Sequence, residues 1–127
     1  MATTAQYTAT PASTFAELTT ANTALTGATA VTVFTAGASG GRVDTVHIHA
    51  TTTTTAGMIR LFCGAAADAT AALIAEIPVL ANTPSATNPS WSADVDLHLI
   101  MQANYVLSAT TEKTETFDVS VRNGGSF

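Results

Sequence analysis

Two histidines one residue apart, His47-Ile-His49, are the best metal-ligand candidates in this 127-residue chain. On a strand, side chains at i and i+2 point the same way, and two imidazoles so placed can grip one ion. Asp94 and Asp96 share the same spacing, with His98 completing an acidic stripe. Paired carboxylates can serve glycoside hydrolysis or hold calcium. The single cysteine, Cys63, lies between Phe62 and Gly64 with no cation beside it in sequence to lower its pKa. It reads as a structural thiol. Gly37-Ala-Ser39-Gly-Gly41 places a serine among glycines but is not G-x-S-x-G, and it lacks the lysine of a phosphate loop. It reads as a strand connection. Trp91 heads an alternating stretch, where a lone Trp serves as a core or interface anchor more often than as a sugar platform.

The spacing Gly41-x5-His47-x-His49 resembles the opening of the cupin motif. The resemblance stops there, because Thr51 to Thr55 stand where a glutamate is required. The second half of that motif is absent after Pro78 and Pro89. Asp94 and Asp96 lack the D-x-D-x-D-G order of a calcium loop. His47 and His49 are therefore read as a polar or intersubunit strand face, with no metal, no cofactor and no catalytic set expected.

The elements that position these residues are strands. Val31–Phe34 is β-branched and aromatic. From Arg42 to about Thr53, Val46, Ile48 and Ala50 share one face while Thr45, His47 and His49 take the other. Val43 falls out of phase, which predicts a bulge or a buried strand start. Further strands are predicted at Met58–Cys63, Leu73–Ile77, Trp91–Leu97, Tyr105–Thr110 and Phe117–Arg122. Ala71–Glu76 has helical propensity, but it is short and Pro78 follows, which favours a strand. Short strands at such spacing predict an all-β fold: an antiparallel β-sandwich or jelly roll of seven to eight strands over residues 29–127.

Residues 1–28 read differently. They are rich in Thr and Ala, with isolated apolar residues Tyr7, Phe15, Leu18 and Leu25. Ser13 offers a cap for a short helix, and an extended arm fits as well. An N-terminal docking arm that orders on a partner is the expectation.

Charged residues make up 10% of the chain, against roughly a quarter in an ordinary domain. Thr and Ala each supply roughly a fifth of the residues, against well under a tenth on average. Such a surface gives little like-charge repulsion and suits a subunit packed against other protein. Four dispersed cations, Arg42, Arg60, Lys113 and Arg122, with a net charge of −5, make nucleic acid and anionic membranes poor partners. MATTAQYTAT has neither a basic nor an apolar signal region, so synthesis in a cytoplasm is expected.

Four segments share a resemblance: Thr55-Ala-Gly-Met-Ile-Arg-Leu-Phe62; Glu76-Ile-Pro-Val79 with Thr83-Pro-Ser-Ala-Thr87; Tyr105-Val-Leu-Ser-Ala-Thr110; and Phe117-Asp-Val-Ser-Val-Arg-Asn-Gly-Gly125. Together they resemble small β-sandwich virion proteins of tailed bacteriophages, most of all head decoration (cement) proteins. That resemblance implies a non-enzymatic homotrimer on the capsid surface, made in the host cytoplasm, with the major capsid protein and itself as partners. A tail, fibre or baseplate component touching host glycans through Trp91 and the 82–90 loop is the alternative. Tyr7, Phe15, Leu18, Leu25, Met58, Phe62 and Trp91 are the expected interface residues.

Overall fold

The computed structural model describes residues 8–127, and those residues contain nine strands and no helix. In chain order these are β1 (Thr10–Pro11), β2 (Phe15–Leu18), β3 (Val31–Thr35), β4 (Gly41–Ala50) and β5 (Gly57–Gly64), followed by β6 (Ala72–Val79), β7 (Ser92–Met101), β8 (Val106–Thr111) and β9 (Phe117–Ser126). They form two antiparallel sheets. One runs β1-β9-β4-β7, with β2 also on β9; the other runs β3-β8-β5-β6. This is the expected all-β sandwich.

The core lies between the sheets. Val46, Ile48 and Ala50 of β4 meet Ile59 and Leu61 of β5, Leu107 and Ala109 of β8, and Phe117, Val119 and Val121 of β9. Period-two alternation places these rows inward. The out-of-phase Val43 is also fully buried, because the register of β4 shifts between Val43 and Thr45 against both neighbours. Ala71–Glu76 carries the start of β6: an eight-residue strand ladder on β5 outweighs a weak helical propensity.

Part of the expected 1–28 arm contributes two strands, β1 and β2, to the sandwich. Phe15–Leu18 pairs with Leu18↔Phe117 and Phe15↔Ser120 in register, and Ala16 and Leu18 enter the core. The physical reason is that β9 has an edge to fill, and alternate residues of β2 supply an apolar inward row. Thr10 to Leu18 thus belongs to the sandwich. Leu18, 1% exposed, is a core residue and not a partner anchor. Tyr7 lies outside the described residues.

The outer face of the β3-β8-β5-β6 sheet is also covered. Phe62, expected at an interface, is fully buried there outside the main core cluster. A connection from Thr19 to Ala30 crosses that face. A side chain on Gly27 would lie 3.5 Å from the Phe62 ring and 2.7 Å from the Asp68 carbonyl. Arg60, 8% exposed, shares the face. Its Nη2 donates to Glu112 Oε2 at 3.4 Å, and its Nε lies 3.9 Å from Glu76 Oε1. Arg60 Nε and Nη1, Ser108 Oγ and Thr110 Oγ1 are buried with no hydrogen-bond partner among the described residues.

Candidate functional site

The histidines and aspartates singled out in the sequence do meet, on the outward face of the β1-β9-β4-β7 sheet. His47 and Asp94 are cross-strand partners, with His47 Nδ1 2.7 Å from Asp94 Oδ1. Thr45 Oγ1 donates to Asp96 Oδ1 at 3.2 Å. The His47 and His49 rings stack with centroids 5.8 Å apart. Asp118 is the register partner of His49 on β9. His98 faces Asp44 instead, with Nδ1 3.6 Å from Oδ1, and Arg42 Nε donates to the same oxygen at 2.7 Å.

This ladder is open to solvent: the Asp94 side chain is 69% exposed. An imidazole–carboxylate pair does acid–base work when a substrate is held against it in a cleft, and a flat sheet face offers no such wall. Among the described residues, no group of three His, Cys, Asp or Glu side chains is placed to hold a metal ion. Burial pushes the Cys63 thiol above its ordinary range, which disfavours the nucleophilic thiolate. Hydrogen bonds from the Thr70 hydroxyl and backbone hold the exposed Asp68 carboxyl below its ordinary range. A cleft of about 170 Å³ between Thr19–Thr20, Thr29 and Thr110–Thr111 falls short of the roughly 300–1,000 Å³ of usual ligand sites.

The other unusual region is a side of the sandwich. β6 and β7 end their respective sheets, with no strand beyond them among the described residues. Their inward rows are incompletely covered. Nine partly buried apolar residues pack against the core, and six of them are Ala75, Ile77, Trp91, Val95, Leu97 and Leu99. All six lie on β6, on β7 or immediately before β7, so the core is left unfinished on this one side. Exposed Ile74 (37%), Leu80 (66%) and Ile100 (62%) adjoin it. The opposite side is closed by β2, which packs between β9 and β3.

A braced loop joins β6 to β7. Asn88 Nδ2 donates to Asn82 Oδ1 at 3.0 Å and to the Thr83 carbonyl at 2.7 Å, and Asn82 Nδ2 donates to the Pro89 carbonyl at 2.9 Å. Trp91 follows, half-buried and edge-on against Phe117 with ring centroids 5.9 Å apart. Its ring is engaged with the core, which leaves it poorly placed as a free stacking platform.

Of the expected interface residues, Phe15 and Leu25 are exposed, Met58 and Trp91 are half-buried, and Leu18 and Phe62 are sealed inside. The half-buried rows of β6 and β7 were not anticipated, because alternation alone does not separate an edge strand from a central one. Pro78 was the available signal, since a strand proline is confined to edges and bulges. Comparison with family models, curated proteins and solved structures finds no match to this chain.

Proposed function

We propose that this protein is a structural virion subunit, a decoration protein that binds the outside of a tailed-phage head and self-associates, most simply as a homotrimer. The observation that carries the reading is the unfinished side at β6 and β7. Apolar rows left half-covered in a chain with so few charges call for protein cover. The strand order supports it. We read β2-β9-β4-β7 facing β3-β8-β5-β6 as a jelly-roll arrangement, an architecture used by viral capsid domains. The cupin-like alternative is disfavoured because His47 and His49 lie on the outward row of β4, while Val46, Ile48 and Ala50 face the interior.

The test is addition of purified protein to undecorated heads, with imaging and a heat-release assay. Saturable occupancy of fixed surface positions, with DNA retained to higher temperature, supports the reading. Absence of binding to heads, or localisation on the tail, overturns it.

A further inference from the structure

Of the six exposed large apolar residues among the described residues, five fall on two opposite edges. Ile74, Leu80 and Ile100 lie on β6, directly after β6 and on β7. Phe15 (73%) and Val31 (38%) lie on β2 and β3, while Leu25 (61%) lies on the connection that crosses the outer face of the β3-β8-β5-β6 sheet. The strand orders put β6 and β7 at one end of the two sheets, and β2 and β3 at the other.

We propose that copies of this chain associate head to tail, the open β6/β7 side of one copy seating on the β2/β3 edge of the next. Charge decides against the alternative of like edge on like edge. β6 and β7 carry Glu76, Asp94 and Asp96 and no Lys or Arg. Two copies meeting through β7 alone bring Asp94 and Asp96 of each together, and like charges directly opposed across strands are destabilising. The opposite edge carries both signs: exposed Glu17 on β2, and exposed Arg122 on β9, where it flanks the gap between β1 and β2. Hydrophobicity agrees. A half-covered apolar row needs an apolar partner, and Phe15 is the most exposed large apolar side chain among the described residues. A contact between unlike edges leaves one of each free on every pair, so it builds a closed ring or an open filament and not a two-fold dimer.

The inference rests on the self-association within the proposed function, while attachment to heads is measured separately, so either can fail alone. The experiment uses the full chain in sedimentation and light scattering at micromolar concentration. One variant, Phe15→Asp with Val31→Asp, blocks the β2/β3 edge; another, Leu80→Asp with Ile100→Asp, blocks the open side. All four residues are exposed, and circular dichroism checks that each variant stays folded. The wild type is expected to assemble beyond a dimer. Each variant alone is expected to be monomeric. An equimolar mixture is expected to form a one-to-one dimer, because each partner retains the edge the other lost. A monomeric wild type, a β2/β3-edge variant that assembles like wild type, or a mixture that stays monomeric overturns the proposal. Should either variant fail to fold, the single changes Phe15→Asp and Ile100→Asp are read by the same criteria.

Discussion

Asp44 and His98 meet across a shared irregularity between two strands. Toward β9, Asp44 is an extra residue of β4; toward β7, it stands opposite two residues, Leu97 and His98. The slip lets Val43 and Val46, three positions apart, both face the core. It also holds His98 at a positive φ of 48°, a region that most side chains other than Gly, Asn and Asp avoid.

His98 therefore has a predictable substitution pattern. His98→Val should lower stability by about 1–2 kcal/mol, because a β-branched side chain is strained in the left-handed region. His98→Asn should be tolerated, since Arg42 still holds Asp44. Thermal melts of the two variants distinguish a backbone requirement from a requirement for the imidazole.

Leu18→Ala should cost about 2–5 kcal/mol, the usual range for truncating a buried leucine. Phe15→Ala, three residues earlier and exposed, should stay within about 0.5 kcal/mol. Urea titration of both variants checks this. An unchanged midpoint for Leu18→Ala would return β2 to the status of a detachable arm.

Arg60 sits in a covered layer with two nitrogens lacking a hydrogen-bond partner, while the carboxylates beside it, Glu76 and Glu112, keep 41% and 31% of their side-chain surface. Replacing a buried charge by an apolar side chain of similar length is often neutral when its partners can reach water. Arg60→Met should remain within about 1 kcal/mol of wild type, whereas Arg60→Ala leaves a void and should be clearly less stable.

For the raised Cys63 thiol, the sign runs against high pH. Its neutral form is favoured in the folded state, so the folded protein binds more protons than the unfolded one once the free thiol ionises, near pH 8.5. The contribution is complete below that range and falls away as pH rises through the elevated folded value. Cys63→Ser should remove this part of the alkaline decline in chemical denaturation. Alkylation of Cys63 in the native protein should be slower than in the unfolded protein.

Strand rows were legible because a half-buried strand writes itself as alternation: Val46, Ile48 and Ala50, or Phe117, Val119 and Val121, are inward as the pattern requires. The bulge was legible in the misphased Val43. The first two strands were not, since Thr10–Pro11 and Phe15–Leu18 are too short to show a period and owe their form to β9, about a hundred residues away. Phe62 misled for a related reason. Its outward position was correct, but the covering segment near Gly27 is neither adjacent in sequence nor patterned. The pairing of His47 with Asp94 likewise depends on register between β4 and β7, which no single strand encodes.

The place of β9 constrains how the molecule comes into being on the ribosome. It lies between β1 and β2 on one side and β4 on the other, yet of the nine strands it is the last in chain order. Until Phe117–Ser126 has cleared the exit tunnel, β1 and β2 have no ladder to join, and the inward rows of β4 have lost one of their two neighbours. The nascent chain must carry these apolar strands unsatisfied until then. A sequence with few charges gives them little electrostatic protection from one another on a polysome. Slow growth at reduced temperature, or the presence of a holding chaperone, should therefore raise the soluble yield.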